Sequence, residues 1–588
     1  MYKKLFMTAA LAATYIQLNA QTVAADYKGT SNSNPISANI FCADPTALEY
    51  NGRLYVYGSN DHQQFIKNGK KGENSSGEIK SIVVFSTDDM VNWTFHGTID
   101  TKKLCSSWVT NPWYRGYGVS WAPSVTWRTT EDGTDEFFLY FCNSSHGVGV
   151  LTAESPIGPW KSPLKQLMIH YDTPGANAIG TNANFDPGVV IDDNGVGWIS
   201  FGGLGPSTIM PNAARIAKLK PSMTEVDGAA VVIPAPYHFE ANELNVIDGK
   251  YVYTYCSNWA QRNDSEWNTY KQEHGITLTK PNACTMCYMV SDDPMNPDSW
   301  VYKGVYGPHP GMGSNNNHSH LQKFQGSYYY LYHGAPLMEK WRSAGVIEQN
   351  CGIFRSICVN KATVNEGTQK ISQVTPGLTG VSAIKNMNPY QLQEAETMAS
   401  CGGIDYEDFT NIQKNTRIST LGNDASRNMQ VKMEAGSWIQ QRCLDFGTSG
   451  AAQFMLRAKG TGTMEIRIGR IGAKAAATID FSSTAMEDQT VELDATMFTG
   501  TKKIVYFVVT SAANFYVDAW QFSDALPDGI EEIEAGRIVN GKSVDSRHMN
   551  SRCYDLSGRS LSGSNRRRGI VIEQFTDGNG VKRSRMKY

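Results

Sequence analysis

Short strands rich in aromatic residues recur along the first part of the chain, and each is followed by a loop and a second apolar strand. Apolar positions alternate or run together over short stretches, and no helical period is sustained. The aromatic strands are predicted at 54–57, 137–141, 197–201, 251–255 and 328–332, with partner strands near 82–85, 148–152, 214–219, 287–290 and 352–359. The pattern therefore predicts five similar β units within about 380 residues.

Five consecutive units of this kind favour a five-bladed β-propeller, because each propeller blade is a small antiparallel sheet. Three of the partner strands lead through a turn into a tryptophan, at Trp93, Trp160 and Trp300. A β-sandwich is the competing interpretation, since alternation alone does not order strands. The expected fold class is all-β: a five-bladed β-propeller followed by a β-sandwich of the jelly-roll type.

The 588 residues exceed what one hydrophobic core normally fills, so several domains are expected. Residues 1–20 have the basic start, apolar run and small-residue end of a secretory signal peptide, with a buried helix as the alternative. We assign 30–385 to the propeller, 390–524 to the sandwich and 530–588 to a C-terminal tail. The protein is expected to be secreted, whether periplasmic, cell-surface or extracellular.

Net charge and hydropathy argue against nucleic-acid and membrane partners, and cysteine spacing argues against a zinc or redox site. The net charge of −3 offers no basic face for nucleic acid or anionic lipid, and no later stretch has the roughly 20 apolar residues of a membrane span. The eleven cysteines are spread thinly along the chain. Cys284 and Cys287 have the spacing of a zinc or redox motif but lack a second pair, so strand cysteines are the favoured interpretation. We expect a monomer.

Three acids lie near the starts of predicted blades, in segments that are otherwise apolar: Asp44, Asp186 and Glu240. Taken alone, an Asp-Pro pair is typical of a turn and a glutamate of the solvated surface. In a propeller, however, the first strand of every blade lines the central channel, so acids distant in sequence can face one pocket. Hydrolysis of a glycosidic bond needs such a pair of carboxyl groups.

The three segments, in this order, resemble glycoside hydrolase family 43 over about residues 34–380. The resemblance rests on Asp-Pro at 44–45 ahead of Asn-Gly at 51–52, on Phe-Asp-Pro-Gly at 185–188, and on Glu240 nine residues before Gly249. It implies an inverting enzyme in which Asp44 is the general base and Glu240 the general acid. Asp186 would orient the acid and tune its pKa.

Two of these assignments have alternatives. Glu243 is the rival for the acid, but the spacing to Gly249 favours Glu240, and alternation along a strand predicts that residues three apart point to opposite faces. Asp186 could instead only cap the turn before 192–195.

The resemblance also implies substrate contacts from Trp121, His318 and Arg355. Trp121 could pack on the apolar face of a sugar or serve the protein core. His318 matches a histidine that reaches the channel and contacts a bound cation or water, with His320 or an ordinary loop histidine as alternatives.

Residues 390–524 resemble family 6 carbohydrate-binding modules, through Gln-Glu-Ala-Glu at 393–396 and the closing strand 514–522. A structural calcium site is implied, and carboxylate oxygens suit this ion. The implied calcium ligands are Glu394, Glu396 and Asp518, and the implied sugar ligands are Tyr406 and Asn514. No tryptophan lies between 480 and 493, where the family often has a second stacking ring, so sugar binding stays open. The tail, at 552–559 and 569–572, resembles sorting domains of Bacteroidetes secreted proteins.

The expected function is removal of α-L-arabinofuranosyl side chains from arabinoxylan, with plant cell-wall arabinoxylan or xylan as the partner. A β-xylosidase or a bifunctional enzyme is the alternative, because pocket loops decide which sugar enters. A non-catalytic carbohydrate-binding propeller would keep the blades without needing all three acids.

Overall fold

The computed structural model describes residues 23–69, 76–108, 118–177, 183–313, 316–412 and 429–524, and the backbone of short strands between 552 and 587. The predicted signal peptide, 1–20, lies outside the described residues. These residues fold mostly into strands, as the sequence predicted. No helix among them is long and apolar enough to cross a membrane.

Five antiparallel sheets follow one another along the first part of the chain, and neighbouring strands in each sheet follow in chain order. The first two blades contain β1 (Ala43–Tyr50), β2 (Arg53–Ser59), β3 (Ile82–Thr87) and β4 (Trp93–Ile99), then β5 (Trp121–Thr129), β6 (Asp135–Cys142) and β7 (Val148–Ala153). The third contains β8 (Gly188–Ile191), β9 (Gly197–Phe201), β10 (Ala214–Lys218) and β11 (Val231–Ile233). The last two contain β12 (His238–Ile247), β13 (Lys250–Ser257), β14 (Met286–Ser291) and β15 (Val301–Gly307), then β16 (Ser319–Phe324), β17 (Ser327–Gly334) and β18 (Ser356–Ala362).

The first strands of the five sheets form a closed ring. β1 contacts β5 and β16, β8 contacts β5 and β12, and β12 also contacts β16. Because the last blade meets the first, the sheets surround a common axis, which confirms the five-bladed propeller over the β-sandwich. All five predicted aromatic strands are second strands of blades, namely β2, β6, β9, β13 and β17.

Tight turns join the two inner strands in three of the blades. The turn residues at 51–52, 248–249 and 325–326 all have positive φ, between 48° and 74°. Two consecutive left-handed residues define a type I′ turn, whose twist matches that of the flanking strands. Glycine at the second position of each turn adopts this conformation without strain.

Helices occupy loops between strands: α1 (His62–Asn68), α2 (Thr101–Leu104), α3 (Asp264–His274) and α4 (Pro336–Ser343). Asn263 caps the start of α3, because its side chain accepts hydrogen bonds from the amides of Ser265 and Glu266, and the left-handed Gly275 caps its end. A short hairpin, β19 (Val364–Asn365) and β20 (Lys370–Ile371), follows the fifth blade.

The second domain is a curled sheet around an apolar interior, and this is the form that the predicted sandwich takes. Its strands are β21 (Gln393–Glu394), β22 (Thr397–Met398), β23 (Ser400–Gly402), β24 (Phe409–Asn411), β25 (Met429–Lys432), β26 (Trp438–Leu444), β27 (Ala451–Ile468), β28 (Ala475–Glu492) and β29 (Lys503–Asp524). The long strands β27 and β29 pair through several register shifts. Such bulges bend a strand and increase its twist, so one sheet can wrap around the core.

The two domains share one hydrophobic core. Strand β22 pairs with β4 of the first blade, so that Met398 lies opposite Trp93. Phe95 of β4 and Phe409 of β24 pack edge to face, with ring centroids 4.9 Å apart. A single cluster of buried side chains runs from the first and fifth blades into the second domain. The second domain is therefore packed onto the propeller as one body.

The C-terminal part, Leu526–Tyr588, forms a separate unit. Its described strands are β30 (Arg552–Tyr554), β31 (Ser560–Leu561), β32 (Val571–Thr576) and β33 (Lys582–Lys587), ordered β31-β30-β32-β33 in an antiparallel sheet. The connecting residues of the predicted sorting tail lie outside the described ranges.

Candidate active site

A cavity of about 250 Å³ lies where the inner strands of the blades begin. Its lining includes six residues predicted from the sequence: Asp44, Trp121, Asp186, Glu240, His318 and Arg355. All five inner strands run in the same direction relative to the axis, so their first residues meet at one end of the channel. The structure thus brings together side chains that lie up to 311 positions apart.

The backbone is unusual where the inner strands meet this cavity. Asp44, Ala122 and Asp186 have φ values of 49°, 39° and 49°, and each precedes a proline, while Ala241 beside Glu240 has a φ of 63°. Strands β1, β5 and β12 carry register shifts at these points. A non-glycine residue in the left-handed region is strained, and β-bulges re-aim side chains next to functional sites. The bulges turn these side chains toward the channel.

Asp44 is surrounded by groups that favour its ionised form. Arg355 Nη1 lies 2.7 Å from Asp44 Oδ1, and the Ser59 hydroxyl donates to Oδ2 at 2.7 Å. His333 Nδ1 lies 3.2 Å from Asp44 Oδ1. Burial alone would raise the pKa of Asp44, but the Arg355 charge and the His333 contact bring it well below its usual range. Asp44 is therefore held as a carboxylate at neutral pH.

Arg355 is fixed by a second carboxylate, Asp61, which the sequence did not single out. The backbone amide, Nε and Nη2 of Arg355 each donate to Asp61, all at 2.9 Å. Asp61 is fully buried. A planar guanidinium bound in this way keeps a defined orientation, so Asp61 holds Arg355 in place against Asp44.

Asp186 and Glu240 are linked through the backbone. The amide of Ala241, next to Glu240, donates to Asp186 Oδ2 at 2.9 Å, and the Asn242 side chain donates to the Asp186 carbonyl at 2.9 Å. Burial and the Asp44 charge raise the pKa of Asp186 to about 7. Burial, followed by the charges of Asp186 and Asp44, raises the pKa of Glu240 well above its usual range. The cavity thus combines an ionised carboxylate with a carboxyl group that retains its proton.

The profile of glycosyl hydrolases family 43 matches residues 32–368, which is more than half of the chain. The chain belongs to glycosyl hydrolases family 43. The matched residues contain all five blades and all of the described residues that line the cavity.

Proteins of family 43 with named activities align along most of the chain. Identity is 34% over 536 residues to an arabinoxylan arabinofuranohydrolase of Paenibacillus polymyxa, covering 87% of this chain and 77% of the relative. It is 34% over 513 residues to that of Bacillus subtilis (strain 168), covering 84% of this chain and 93% of the relative. The crystal structure of a family 43 arabinoxylan arabinofuranohydrolase from Bacillus subtilis with cellotetraose has a TM-score of 0.72 and 33% identity, covering 86% of this chain and 99% of that one.

The two candidate glutamates of this family 43 chain occupy different environments. Glu240 and Glu243 lie opposite Cys256 and Thr254 in the neighbouring strand, so three steps along β12 correspond to two along β13. The bulge therefore cancels the predicted alternation of faces, and that reason for preferring Glu240 was wrong. Depth separates the two instead, because Glu240 lines the cavity whereas Glu243 is buried 3.3 Å from His320 Nδ1.

His318 and His320 also differ in whether they line the cavity. His318 lines the cavity, with Nδ1 at 3.8 Å from Asp44 and 4.0 Å from Asp186, and burial lowers its pKa to about 3. His320 contacts Glu243 instead. His318 is thus a neutral group between two of the acids, where it can contact a bound sugar, water or cation.

Tyr406 and Asn514 do not share a site. Tyr406 is only 2% exposed, its hydroxyl accepts a hydrogen bond from Asn60 at 3.0 Å, and its ring stacks on His62 with centroids 4.5 Å apart. It therefore belongs to the contact between the two domains, beside Asp61. Asn514 is exposed and lines a separate shallow cleft of about 840 Å³ on the second domain.

The three predicted calcium ligands supply suitable oxygen donors, but among the described residues they are not arranged as a complete metal site. Among the described residues, no group of three or more His, Cys, Asp or Glu side chains is arranged to hold a metal. However, Glu396 Oε2 and Asp518 Oδ1 are buried without a hydrogen-bond partner. Burial raises the pKa of Glu394, Glu396 and Asp518, and the neighbouring acids raise those of Glu394 and Glu396 further. The donor chemistry fits a hard cation, which would offset this repulsion.

The strand interpretation of the two cysteines is confirmed for Cys287 but was wrong for Cys284, which lies in a turn. Cys287 lies within β14 and Cys284 just before it, and both are buried free thiols. Neither belongs to a metal-binding group of the described residues.

Proposed function

We propose that this chain is a secreted α-L-arabinofuranosidase that removes arabinofuranosyl side chains from arabinoxylan with inversion of configuration. The observation that carries the proposal is the cavity itself, where Asp44 is held ionised and Glu240 protonated in a family 43 fold. Acid–base catalysis by two carboxyl groups requires that one be protonated and the other ionised at the same pH, so their environments must shift their pKa values in opposite directions. The names of the two long-aligning relatives support arabinoxylan as the substrate.

In this mechanism Glu240 gives its proton to the glycosidic oxygen as the bond from that oxygen to the anomeric carbon breaks. Asp44 accepts a proton from the water that attacks the anomeric carbon from the opposite face. Arabinose leaves with inverted configuration, Asp44 then loses its proton to solvent, and Glu240 regains one. Arg355 orients Asp44 and, through its charge, keeps it ionised.

Product analysis tests the substrate. One preparation is incubated with wheat arabinoxylan, linear xylan, arabinan and xylobiose, and released sugars are separated by chromatography. Arabinose from arabinoxylan, without xylose from xylobiose, is the expected result. Release of xylose alone would make the enzyme a β-xylosidase, and release of both sugars a bifunctional enzyme. NMR of the earliest products should show the inverted anomer, and a retained anomer would remove Asp44 from the role of base.

Asp186 is proposed as the group that keeps Glu240 protonated. The Ala241 amide and the Cys142 thiol donate to Asp186, and both contacts favour its anion, so the proton of the pair resides on Glu240. Activity needs protonated Glu240 and falls as pH rises through its pKa. Removing the Asp186 charge lowers that pKa, so Asp186→Asn should move the basic limb of the pH–rate profile to lower pH.

Aryl arabinosides with good leaving groups should lose less rate in Asp186→Asn than arabinoxylan does, because they depend less on protonation. An unchanged basic limb with equal losses on both substrates would leave Asp186 as a turn residue.

For the second domain we propose a family 6 carbohydrate-binding module with a structural calcium ion held by Glu394, Glu396 and Asp518. Calcium at about 100 times its Kd should stabilise the folded protein by about 2.7 kcal/mol, seen as a rise in Tm that a chelator reverses. Glu396→Gln should remove most of this response, whereas the exposed Asp494→Asn should keep it. An equal response in wild type and Glu396→Gln would place the ion elsewhere.

We propose that the protein is secreted, because residues 1–20 have the pattern of a signal peptide. The mature protein recovered outside the cytoplasm should begin near Gln21 by N-terminal sequencing. An intact Met1 in that fraction would contradict cleavage.

A further inference from the structure

Two buried thiols lie in contact behind the strand that carries the acid. The Sγ atoms of Cys256 and Cys284 are 4.0 Å apart, although the two residues lie 28 positions apart in the chain. Cys256 is fully buried and Cys284 is 3% exposed. Both side chains belong to one core cluster, together with Tyr306 and Tyr330. The proposed hydrolysis uses neither thiol, so their contact has a different origin.

The backbone around both cysteines is fixed by hydrogen bonds. The amide of Cys284 donates to the Ser257 carbonyl, and the Ser257 amide donates to the Thr285 carbonyl, both at 2.9 Å. The Ser257 hydroxyl donates to the Asn282 carbonyl at 2.7 Å. A disulfide tolerates only a narrow range of separations between its two backbone positions. The neighbour of Cys256 is thus bound to the residues around Cys284, and the fold itself brings the two thiols together.

Cys287, the second cysteine of the Cys-x-x-Cys motif, faces a different core. Its side chain packs in a cluster with Trp267, and the Tyr302 hydroxyl donates to Cys287 Sγ at 3.7 Å. Cys284 belongs to the cluster on the other side of the blade. The partner that Cys284 contacts therefore comes from the neighbouring strand β13 and not from its own motif.

We propose that Cys256 and Cys284 are joined by a disulfide in the mature protein. The proposal rests on the proposed secretion, since disulfides persist in oxidising compartments. It does not depend on which sugar the enzyme releases.

The oxidant is the disulfide of a small thiol, such as oxidised glutathione, or of a thiol oxidoreductase. The Cys284 thiolate attacks one sulfur of that disulfide, forms a mixed disulfide and releases the first thiol. The Cys256 thiolate then attacks Cys284 Sγ, forms the bridge and releases the second thiol. The two cysteine sulfurs are oxidised, the two sulfurs of the oxidant are reduced, and the two cysteine protons leave on the released thiols. Because both cysteines are buried, the exchange takes place during folding or local opening.

The bridge lies directly behind the catalytic acid. Cys256 is the residue opposite Glu240 in the pairing of β12 with β13, where the register of the two strands shifts. The bridge ties this point of β13 to the turn before β14 and encloses α3 in its loop. A disulfide stabilises a protein mainly by restricting its unfolded chain. We therefore expect its effect on the resistance to unfolding of the blade that holds Glu240.

Peptide mapping tests the bridge. The full chain, purified in the reduced state, is incubated with oxidised glutathione in urea just below its unfolding transition, so that local opening admits the oxidant. It is then alkylated in denaturant and digested with trypsin, which leaves Cys256 in residues 251–262 and Cys284 in residues 272–303. The expected product is these two peptides joined through Cys256 and Cys284. Separate alkylated peptides, a bridge to Cys287 or glutathione retained on Cys284 would overturn the proposal.

Thermal unfolding gives a second measurement. The oxidised protein should melt about 2–4 °C above the reduced protein. Cys256→Ala and Cys284→Ala should each abolish this difference, whereas Cys287→Ala, the matched control, should keep it. Comparing the two states of one variant cancels the cost of removing a buried thiol. Equal Tm values for oxidised and reduced wild type would also overturn the proposal. Because the oxidant is supplied in vitro, a failure of secretion would leave both results unchanged.

Discussion

Glu240→Gln should reduce turnover of arabinoxylan by about 10²–10⁴-fold while the protein stays folded, because the amide keeps the shape of the acid but has no proton to give. Asp44→Asn should cause a loss of similar size, since the attacking water then has no base. Steady-state kinetics with circular dichroism as the folding check would measure both.

Glu243→Gln is the matched control for the acid. Its side chain is buried beside His320 and away from the cavity, so its effect should fall on stability and leave more than a tenth of the rate. The two catalytic variants should also differ from each other. Glu240→Gln should retain more activity on substrates with good leaving groups, whereas Asp44→Asn should not. A residual rate above a tenth of wild type in either variant would remove that residue from its role.

Phe409→Ala should lower the free energy of unfolding by about 3–5 kcal/mol, the usual cost of deleting a large buried ring. Phe409 packs on Phe95 of the first blade in the core that the two domains share. The loss should therefore appear in both domains at once. Thermal unfolding followed by circular dichroism and by residual activity should shift together to lower temperature.

Met497→Ala, at an exposed position of the second domain, should change stability by no more than about 0.5 kcal/mol. If Phe409→Ala instead gave two separate transitions, with activity lost at the wild-type temperature, the domains would unfold independently.

The sequence located the fold and most of the cavity because local signals mark them. Aromatic strands and X-Gly turns repeat in each blade, and the two aspartates sit beside prolines at the starts of inner strands. These signals depend on neighbours along the chain. Where the bulge at Ala241 interrupts β12, the simple two-residue period fails, and the argument from strand faces failed with it.

Residues that act through distant partners could not be found in this way. Asp61 follows a strand in an ordinary polar turn, and only the fold brings Arg355 to it across 294 positions. Tyr406 was assigned to a sugar site because aromatic rings serve there in the resembled family. Its burial against His62 depends on the packing of two domains, which no local pattern encodes.

The packing of Tyr406 limits which second domains can be exchanged into this enzyme. Its hydroxyl meets Asn60 and its ring covers His62, the two neighbours of Asp61, which in turn fixes Arg355 against Asp44. A chimera that exchanged 390–524 for an unrelated sandwich would leave this corner of the propeller exposed to water. A replacement for the second domain must therefore come from a relative that has a tyrosine at the position of Tyr406. The two domains are expected to be inherited together.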